Sequence, residues 1–521
     1  MKSEDVSPTP DSRPDAGRTA KKHIRGSTLL LAGRGVGTAL NFGVQVLIVR
    51  HLAKADYGAF AYAMSLMLFG SHVVGLGLAK GLNRYVPIYQ VRGQYDRMAG
   101  TVVLALGACA ACGLAVILLV AGVMKLAGTA LIDDPLALTL VLILICVAPL
   151  QALDQMSVKL FAIFASPRAL FLRRHVLGPG LKLGAALLLI AFQGDAVFLA
   201  VAYLLTGILG TAISLLIIAG VLRKQGLLGH FRPRRLAIPA REVLGYSIPL
   251  ITSDVVTALR GTLIVLFLGF FHSSVSVAAF RAVLPVARLN VMVFDSFKLL
   301  FVPHAARMYA REDWEGINDL YWRTASWIAV VTFPIFVVSF SLATPVTVLL
   351  FGERYAGSGS ILSILSLGLF VNAVFGFNAL TLRVFRKVKT IVTIDMSVIG
   401  ISVLANLLLI PKYGAIGGAL ASCGVLIIRN VWYQVALSRA RAVKPIDWRF
   451  VQVSFSAFAV AAGLFVLQSS LQPPVPVSLM VGAIGSLAVL WLNAPVLDVR
   501  TTFPELARFA PARRFLRIAE D

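Results

Sequence analysis

The sequence predicts an all-α polytopic membrane protein with about fourteen transmembrane helices, and three observations carry that prediction. Hydrophobic residues make up 58% of the 521 and charged residues 14%, where a soluble globule carries about 25% charge. The apolar residues gather in runs of roughly 20 or more, the length of helix that crosses about 30 Å of hydrocarbon. The basic residues concentrate in the short connectors between those runs. A net charge of +24 would point a soluble protein towards nucleic acid; here it sets topology, and nucleic acid is excluded as a partner.

Residues 1–25 are rich in Pro, Ser and Asp and then basic (Lys21, Lys22, Arg25), which reads as a disordered cytoplasmic tail. The apolar run that follows is too long for a signal peptide and has no small-residue cleavage site after it, so it is expected to stay as the first helix. Spans are then expected at 26–49, 58–79, 99–124, 136–158, 175–192, 196–222, 243–270, 278–303, 324–350, 359–382, 390–410, 413–437, 450–470 and 476–496. Residues 159–174, between the fourth and fifth, are apolar apart from Lys159, Arg168, Arg173 and Arg174. With the N-terminus in the cytoplasm, 36 of the 48 Lys and Arg lie on the cytoplasmic side and five outside (Arg50, Lys54, Lys125, Arg354, Lys412). That asymmetry obeys the positive-inside rule and, with an even number of spans, predicts both termini in the cytoplasm.

Seven basic residues remain inside the spans: Arg34, Lys182, Arg260, Arg281, Arg288, Lys298 and Arg429. Four carboxylates stand against them, Asp154, Asp254, Asp295 and Asp395. Each such charge costs about 2.5–3.5 kcal/mol on insertion scales, so it normally faces a protein interior or a watery route. An excess of buried cations calls for an anion. At about 100° per residue Arg281, Arg288 and Asp295 fall on one face of the eighth span, as do Ser253, Thr257 and Arg260 on the seventh. The dull readings stay open: Arg281, Lys298 and Arg429 could snorkel from helix ends, Arg288 could pair with Asp295, and the carboxylates could carry H+ or Na+ or only balance arginines. The candidate substrate-binding set is Arg34, Asn41, Gln45, Lys182, Thr257, Arg260 and Arg288; Asp254, Asp295 and Asp395 are the candidates for ion coupling or charge balance.

On the first helix, G33-R-G-V-G-T-A-L-N-F-G-V-Q45 lacks the preceding strand and following acid of a nucleotide-binding loop. Its glycines suit close helix packing, while Arg34, Thr38, Asn41 and Gln45 form one polar stripe. A shift of 216 places Leu47-Ile48-Val49 on Leu263-Ile264-Val265 and Val86-Pro87 on Val302-Pro303. This suggests two six-helix lobes with a site at their interface: 26–222 and 243–437, joined by a basic cytoplasmic linker 223–242 and followed by helices at 450–496 and a cytoplasmic tail at 497–521. Cys109, Cys112, Cys146 and Cys423 lie in apolar segments without histidine neighbours and read as packing residues, not a metal or redox site.

The segments R50-H-L-A-K-A-D-Y-G-A-F-A-Y and G75-L-G-L-A-K-G-L-N-R-Y, with L350-F-G-E-R-Y-A-G-S-G-S and N406-L-L-L-I-P-K-Y-G-A-I-G-G-A-L-A-S further on, resemble the polysaccharide-transport flippases. These are the Wzx-like O-antigen and exopolysaccharide flippases of the MOP superfamily. The resemblance covers residues 27 to about 437 and rests on four motifs in order. It implies a MOP flippase-like fold in the bacterial inner membrane, and a transporter, not an enzyme. Its cargo would be an undecaprenyl-pyrophosphate-linked oligosaccharide crossing by alternating access through a cationic central cavity. Membrane lipids, a polysaccharide polymerase and chain-length machinery are the implied partners. Cofactors are not expected beyond coupling to H+ or Na+. Many relatives carry an aspartate and a basic residue in the seventh helix where this chain has Arg260-Gly261-Thr262, which unsettles any coupling role there.

The residues themselves agree with an anionic cargo. Pyrophosphate needs fixed cations, and arginine's planar fork pairs phosphate oxygens two at a time. A membrane glycosyltransferase would need a large acid- or histidine-bearing loop, yet the longest connector is about 20 residues (Arg223 to Glu242). A multidrug antiporter of the same superfamily would favour buried acids over cations. A lipid II flippase would share the helix number and the cationic cavity.

Overall fold

The computed structural model describes residues 35–132, 134–164, 171–232, 236–440 and 443–497, without the side chains of 129–131, 253, 257 and 260. All regular structure among them is helical. The tails expected at 1–25 and beyond 497, and Arg34, lie outside the described residues.

In chain order the helices are α1 (35–51), α2 (Lys54–Val74), α3 (Leu78–Val91), α4 (Tyr95–Leu131), α5 (Pro135–Ile145) and α6 (Val147–Phe164). A π-helical segment, Leu172–Leu177, leads into α7 (Gly178–Ala191) and α8 (Ala196–Lys224). Then come α9 (Ala240–Phe271), α10 (Ser274–Arg288), α11 (Met292–Ala310), α12 (Trp314–Phe340) and α13 (Ala343–Phe351). The last are α14 (Gly359–Val374), α15 (Phe377–Val384), α16 (Val388–Arg439), α17 (Trp448–Leu471) and α18 (Val475–Leu497).

Eleven helices among the described residues are long and apolar enough to cross a membrane, or twelve if α9, bent by 54° between Val256 and Gly261, is taken as one span. Two features separate this number from the fourteen the sequence predicts. α16 has 52 residues, about 78 Å at 1.5 Å per residue and more than twice the hydrocarbon thickness. It holds two predicted spans, 390–410 and 413–437, on either side of Pro411 and Gly414, where φ is 56° and ψ −132°. Only glycine adopts that geometry without strain. The ring of His272 hydrogen-bonds the Ile410 carbonyl at 2.7 Å, satisfying a group the kink releases. The other feature is α1, whose expected start at 26 precedes the first described residue.

The chain groups into two units, residues through His51 with Ala63–Leu259, and Leu52–Tyr62 with the remainder from Arg260. In the first, Val74, Leu78, Leu82, Tyr89, Met98, Met156 and Phe161 form the core among α2, α3, α4 and α6. The basic connector after α8 folds onto this unit. Leu227 is buried, His230 Nδ1 lies 2.7 Å from Asp96 Oδ1, and Tyr89 donates to Glu242 at 2.7 Å.

The second unit is built around α12, which carries no charged residue after Arg323 and is buried on most of its surface, Ile317, Tyr321, Ile328, Phe333 and Phe336 among its core residues. Gly58, at the start of α2, lets that turn seat on α10: a Cβ there would lie 1.7 Å from the Ser274 carbonyl oxygen.

Helices α17 and α18 form a hairpin against α12. Ser341 donates to the Ala461 carbonyl at 2.8 Å, and Asn493 bridges to Ser456 at 2.7 Å. Phe455 is 73% exposed and Met480 58%, a surface only hydrocarbon would cover without cost. Cysteines placed along the outer faces, at Phe455, Val466, Met480 and Ile484, are therefore expected to react poorly with water-soluble maleimides in intact membranes. Uniform labelling through the middle of the hairpin would overturn this placement.

Candidate functional site

In the first unit α1, α2, α6, the π-helical segment, α7 and α8 line an open cavity of about 240 Å³. Its lining brings together Asn41, Gln151, Asp154, Arg173, Arg174 and Lys182 with Tyr203, Thr206 and Thr211. The π-helix is what places the arginines. One extra residue per turn rotates the side chains that follow, and such bulges concentrate at functional positions. Arg173 is turned inward, 6% exposed. It forms an ion pair with Asp154 and a hydrogen bond to Ser214 Oγ, and its Nη2 lies 3.4 Å from the Gly210 carbonyl. Gly37 permits α1 to approach the same segment, since a Cβ there would be 3.2 Å from His175 Nδ1.

Asp154 is thereby paired with Arg173 and also attracts the Lys182 ammonium at longer range. Lys182 and Arg174 line the same cavity and make no hydrogen bond or ion pair among the described residues. The cavity therefore presents an excess of positive charge. Asn41 Nδ2 is turned back to its own helix, donating to the Gly37 carbonyl at 2.6 Å.

In the second unit Arg288 stands at the end of α10, exposed and with no hydrogen bond or ion pair among the described residues; its charge repels that of Arg281, two turns earlier. Deeper in this unit a polar cluster joins α14, α15 and α16. Arg429 Nη2 donates to Asn372 Oδ1 at 3.3 Å, Asn430 donates to the same oxygen at 3.3 Å, and Asn378 donates to the Asn430 carbonyl at 3.1 Å. Tyr433, under the Arg429 guanidinium, donates to Asp395 Oδ1 at 2.8 Å.

Of the residues expected from the sequence, Asn41 and Lys182 meet in the cavity of the first unit, with Gln45 half-buried one turn further along α1. Arg34, and the side chains of Thr257 and Arg260, are outside the described residues. Arg288 is in the second unit and is not paired with Asp295. The eighth predicted span is two helices, α10 and α11, separated by a 3-10 turn at Leu289–Val291. That break shifts the register, so the single face expected for Arg281, Arg288 and Asp295 is not continuous. Asp295 lies 3.3 Å from Lys298, and Asp254 pairs with Lys80 at 2.6 Å. Every intramembrane carboxylate named above has a partner among the described residues, and for Asp254 and Asp295 these include lysines. Arg429 does not snorkel to the surface; it belongs to the asparagine cluster.

Arg173, Arg174 and Asp154 are absent from the site the sequence predicts. Asp154 is visible in the sequence as a buried acid, and Arg173 and Arg174 as charges in an otherwise apolar stretch. Counting spans on a regular α-helical period leaves the two arginines in a connector.

The family described as polysaccharide biosynthesis protein matches residues 47–360. This chain belongs to that family. Among solved structures, the fold of this family member is similar to that of the lipid II flippase MurJ in an inward closed conformation, with a TM-score of 0.68 and 15% identity over 92% of this chain and 100% of that one. It is also similar to an inward-facing multidrug resistance transporter of the MATE family, within the MOP superfamily, with a TM-score of 0.59 and 16% identity over 79% and 99% of the two chains. A further MATE multidrug transporter, DinF-BH, aligns with a TM-score of 0.56 and 12% identity over 84% and 99%. At these identities the likeness establishes the shared fold. No curated protein matches the sequence.

Proposed function

We propose that this protein is a flippase that moves an undecaprenyl-pyrophosphate-linked oligosaccharide across the bacterial inner membrane by alternating access. The observation that carries this reading is the distribution of unpaired charge. Asp154, Asp254, Asp295 and Asp395 are all engaged, by Arg173, Lys80, Lys298 and Tyr433, whereas Arg174 and Arg288 make no hydrogen bond or ion pair among the described residues, and Lys182 is attracted to Asp154 only at longer range, without a direct ion pair. A cavity whose lining holds Arg173, Arg174 and Lys182 against the single carboxylate of Asp154 is arranged for an anion. Membership of a polysaccharide biosynthesis family supports a glycan on that anion, and pyrophosphate is the anionic group that joins a glycan to a polyprenyl carrier. Asn41, Gln45 and the hydroxyl-bearing lining of the first cavity supply partners for sugar hydroxyls.

Coupling to H+ or Na+ would require one of the carboxylates to give up its partner, Asp254 from Lys80 or Asp395 from Tyr433 being the accessible changes. The orientation that fits the basic connectors places both termini in the cytoplasm. A cationic-drug antiporter needs free carboxylates, and the engaged state of all four argues against it.

Ligand-induced stabilisation tests the reading on purified protein. Binding to the folded state alone at 100 times Kd stabilises by about 2.7 kcal/mol. Undecaprenyl pyrophosphate, with and without an attached oligosaccharide, is expected to raise the melting temperature, and cationic dyes are expected to leave it unchanged. Stabilisation by dyes and not by the pyrophosphate would replace this reading with drug export. Stabilisation by lipid II above the oligosaccharide carrier would replace it with peptidoglycan precursor transport.

A further inference from the structure

A second cavity, of about 580 Å³, lies in the second unit where the end of α12, α13, the following 3-10 turn and the tip of the α17–α18 hairpin meet. It takes no part in the function proposed above. Phe340, Phe465 and Leu349 supply its apolar wall, and Thr344, Glu353, Gln468 and Gln472 its polar one. Glu353 is the single charged residue in the lining. Its carboxylate is exposed and makes no hydrogen bond or ion pair among the described residues.

The amides are held in place. Ser478, 2% exposed, donates to Gln468 Oε1 at 2.7 Å, which leaves the Gln468 NH2 group as the free donor of that side chain. Gln472 closes α17 in the left-handed conformation, φ 44°, with its N–H on the Gln468 carbonyl at 3.2 Å. A non-glycine residue in that region is strained and persists only where the surroundings fix it.

The depth of the cavity follows from helix length. α17 has 24 residues, about 36 Å against about 30 Å of hydrocarbon, so its last turn, carrying Gln468 and Gln472, reaches the headgroup layer. The basic ends of these helices, Arg311 and Arg323 around the start of α12 and Arg449 at the start of α17, are at the opposite side. The site therefore faces the headgroups of the leaflet away from the basic connectors. One carboxylate, an amide donor and no cation in the lining match a group that carries a positive nitrogen with N–H donors beside a phosphate. The apolar wall continues into exposed Phe465, Val466 and Leu349, 43%, 59% and 52% accessible, along which acyl chains can lie.

We propose that this cavity is a binding site for a phospholipid with a primary-ammonium headgroup, of the phosphatidylethanolamine class. The ammonium is held by Glu353, and a phosphate oxygen by the Gln468 amide. An anionic phospholipid would set its charge against Glu353, and a quaternary headgroup offers no N–H to donate.

Native mass spectrometry of the full-length protein with lipids of identical acyl chains tests this. The lipids are phosphatidylethanolamine, phosphatidylcholine and phosphatidylglycerol, competed at equal concentration. The expected result is preferential retention of phosphatidylethanolamine by the wild type. Glu353→Gln should lower that preference about tenfold, the usual loss for one hydrogen bond to a charged group. Because Glu353 is exposed and unpaired, the variant should fold normally. Glu353→Lys should turn the preference towards phosphatidylglycerol. Equal retention of the three lipids, a wild-type preference for phosphatidylglycerol or phosphatidylcholine, or a phosphatidylethanolamine preference unchanged in Glu353→Gln would each overturn the proposal.

Discussion

Replacing Asp154 by alanine is expected to cost the first unit about 3–5 kcal/mol, the penalty for leaving one member of a buried ion pair without its partner. Arg173 is the residue left behind. Its guanidinium is enclosed by Asp154, Ser214 and Gly210, and neither of the last two carries charge. The readout is the melting temperature and folded yield of the detergent-solubilised protein. The double replacement Asp154→Leu with Arg173→Met should recover most of the loss, because two apolar side chains of similar size avoid both the desolvation cost and the orphaned charge. If Asp154→Ala is as stable as the wild type, Arg173 is not a structural cation, and it joins Lys182 and Arg174 as a group available to ligand.

Arg288→Ala is expected to behave in the opposite manner, with stability retained and transport reduced. No described residue loses a hydrogen bond or ion pair when that guanidinium is removed. If it pairs with the pyrophosphate, the loss is about 1.5–3 kcal/mol for a hydrogen bond to a charged group, a fall of roughly tenfold or more in flipping. Arg288→Lys should restore part of it, since the charge remains and the two-pronged geometry does not. Lys182→Ala should show the same separation of stability from transport. Lys298→Ala, at a lysine that serves Asp295, is the mild control. Glycan export at the wild-type level in both Arg288→Ala and Lys182→Ala would remove these cations from the substrate path.

Much of the arrangement is legible in the sequence because it depends on composition and period. Apolar runs of about 20 residues can exist in a bilayer only as helices, since no water is present to satisfy the backbone. The hairpin α17–α18 could be read as peripheral for a related reason. Val451 to Asn493 carries no charge, and an uncharged pair of helices has no use for a polar interior. Lys182 could be singled out because an amine deep in an apolar helix is too costly to be incidental.

What periodicity could not supply was the local break in helical register. The π-helical turn at Leu172–Leu177 and the 3-10 turn at Leu289–Val291 each change where the following side chains point. The first brings Arg173 to Asp154 and adds Arg174 to a cavity; the second divides Arg288 from Asp295. Neither break carries a proline or glycine within its own residues; Gly178-Pro179 directly after the first and Pro285 one turn before the second mark a bend but not the kind of turn that results. The partners of the carboxylates were hidden for a different reason. Lys80 and Asp254 are 174 residues apart, and Tyr433 and Asp395 are 38 apart; such pairs are chosen by how helices pack. The sequence by itself therefore determined a membrane-embedded helical protein with an excess of interior cations, because burial free energy and backbone satisfaction act on each segment separately. Only the tertiary structure decided which of those cations form ion pairs with carboxylates and which make none among the described residues, because pairing depends on the register and packing of helices distant in the chain.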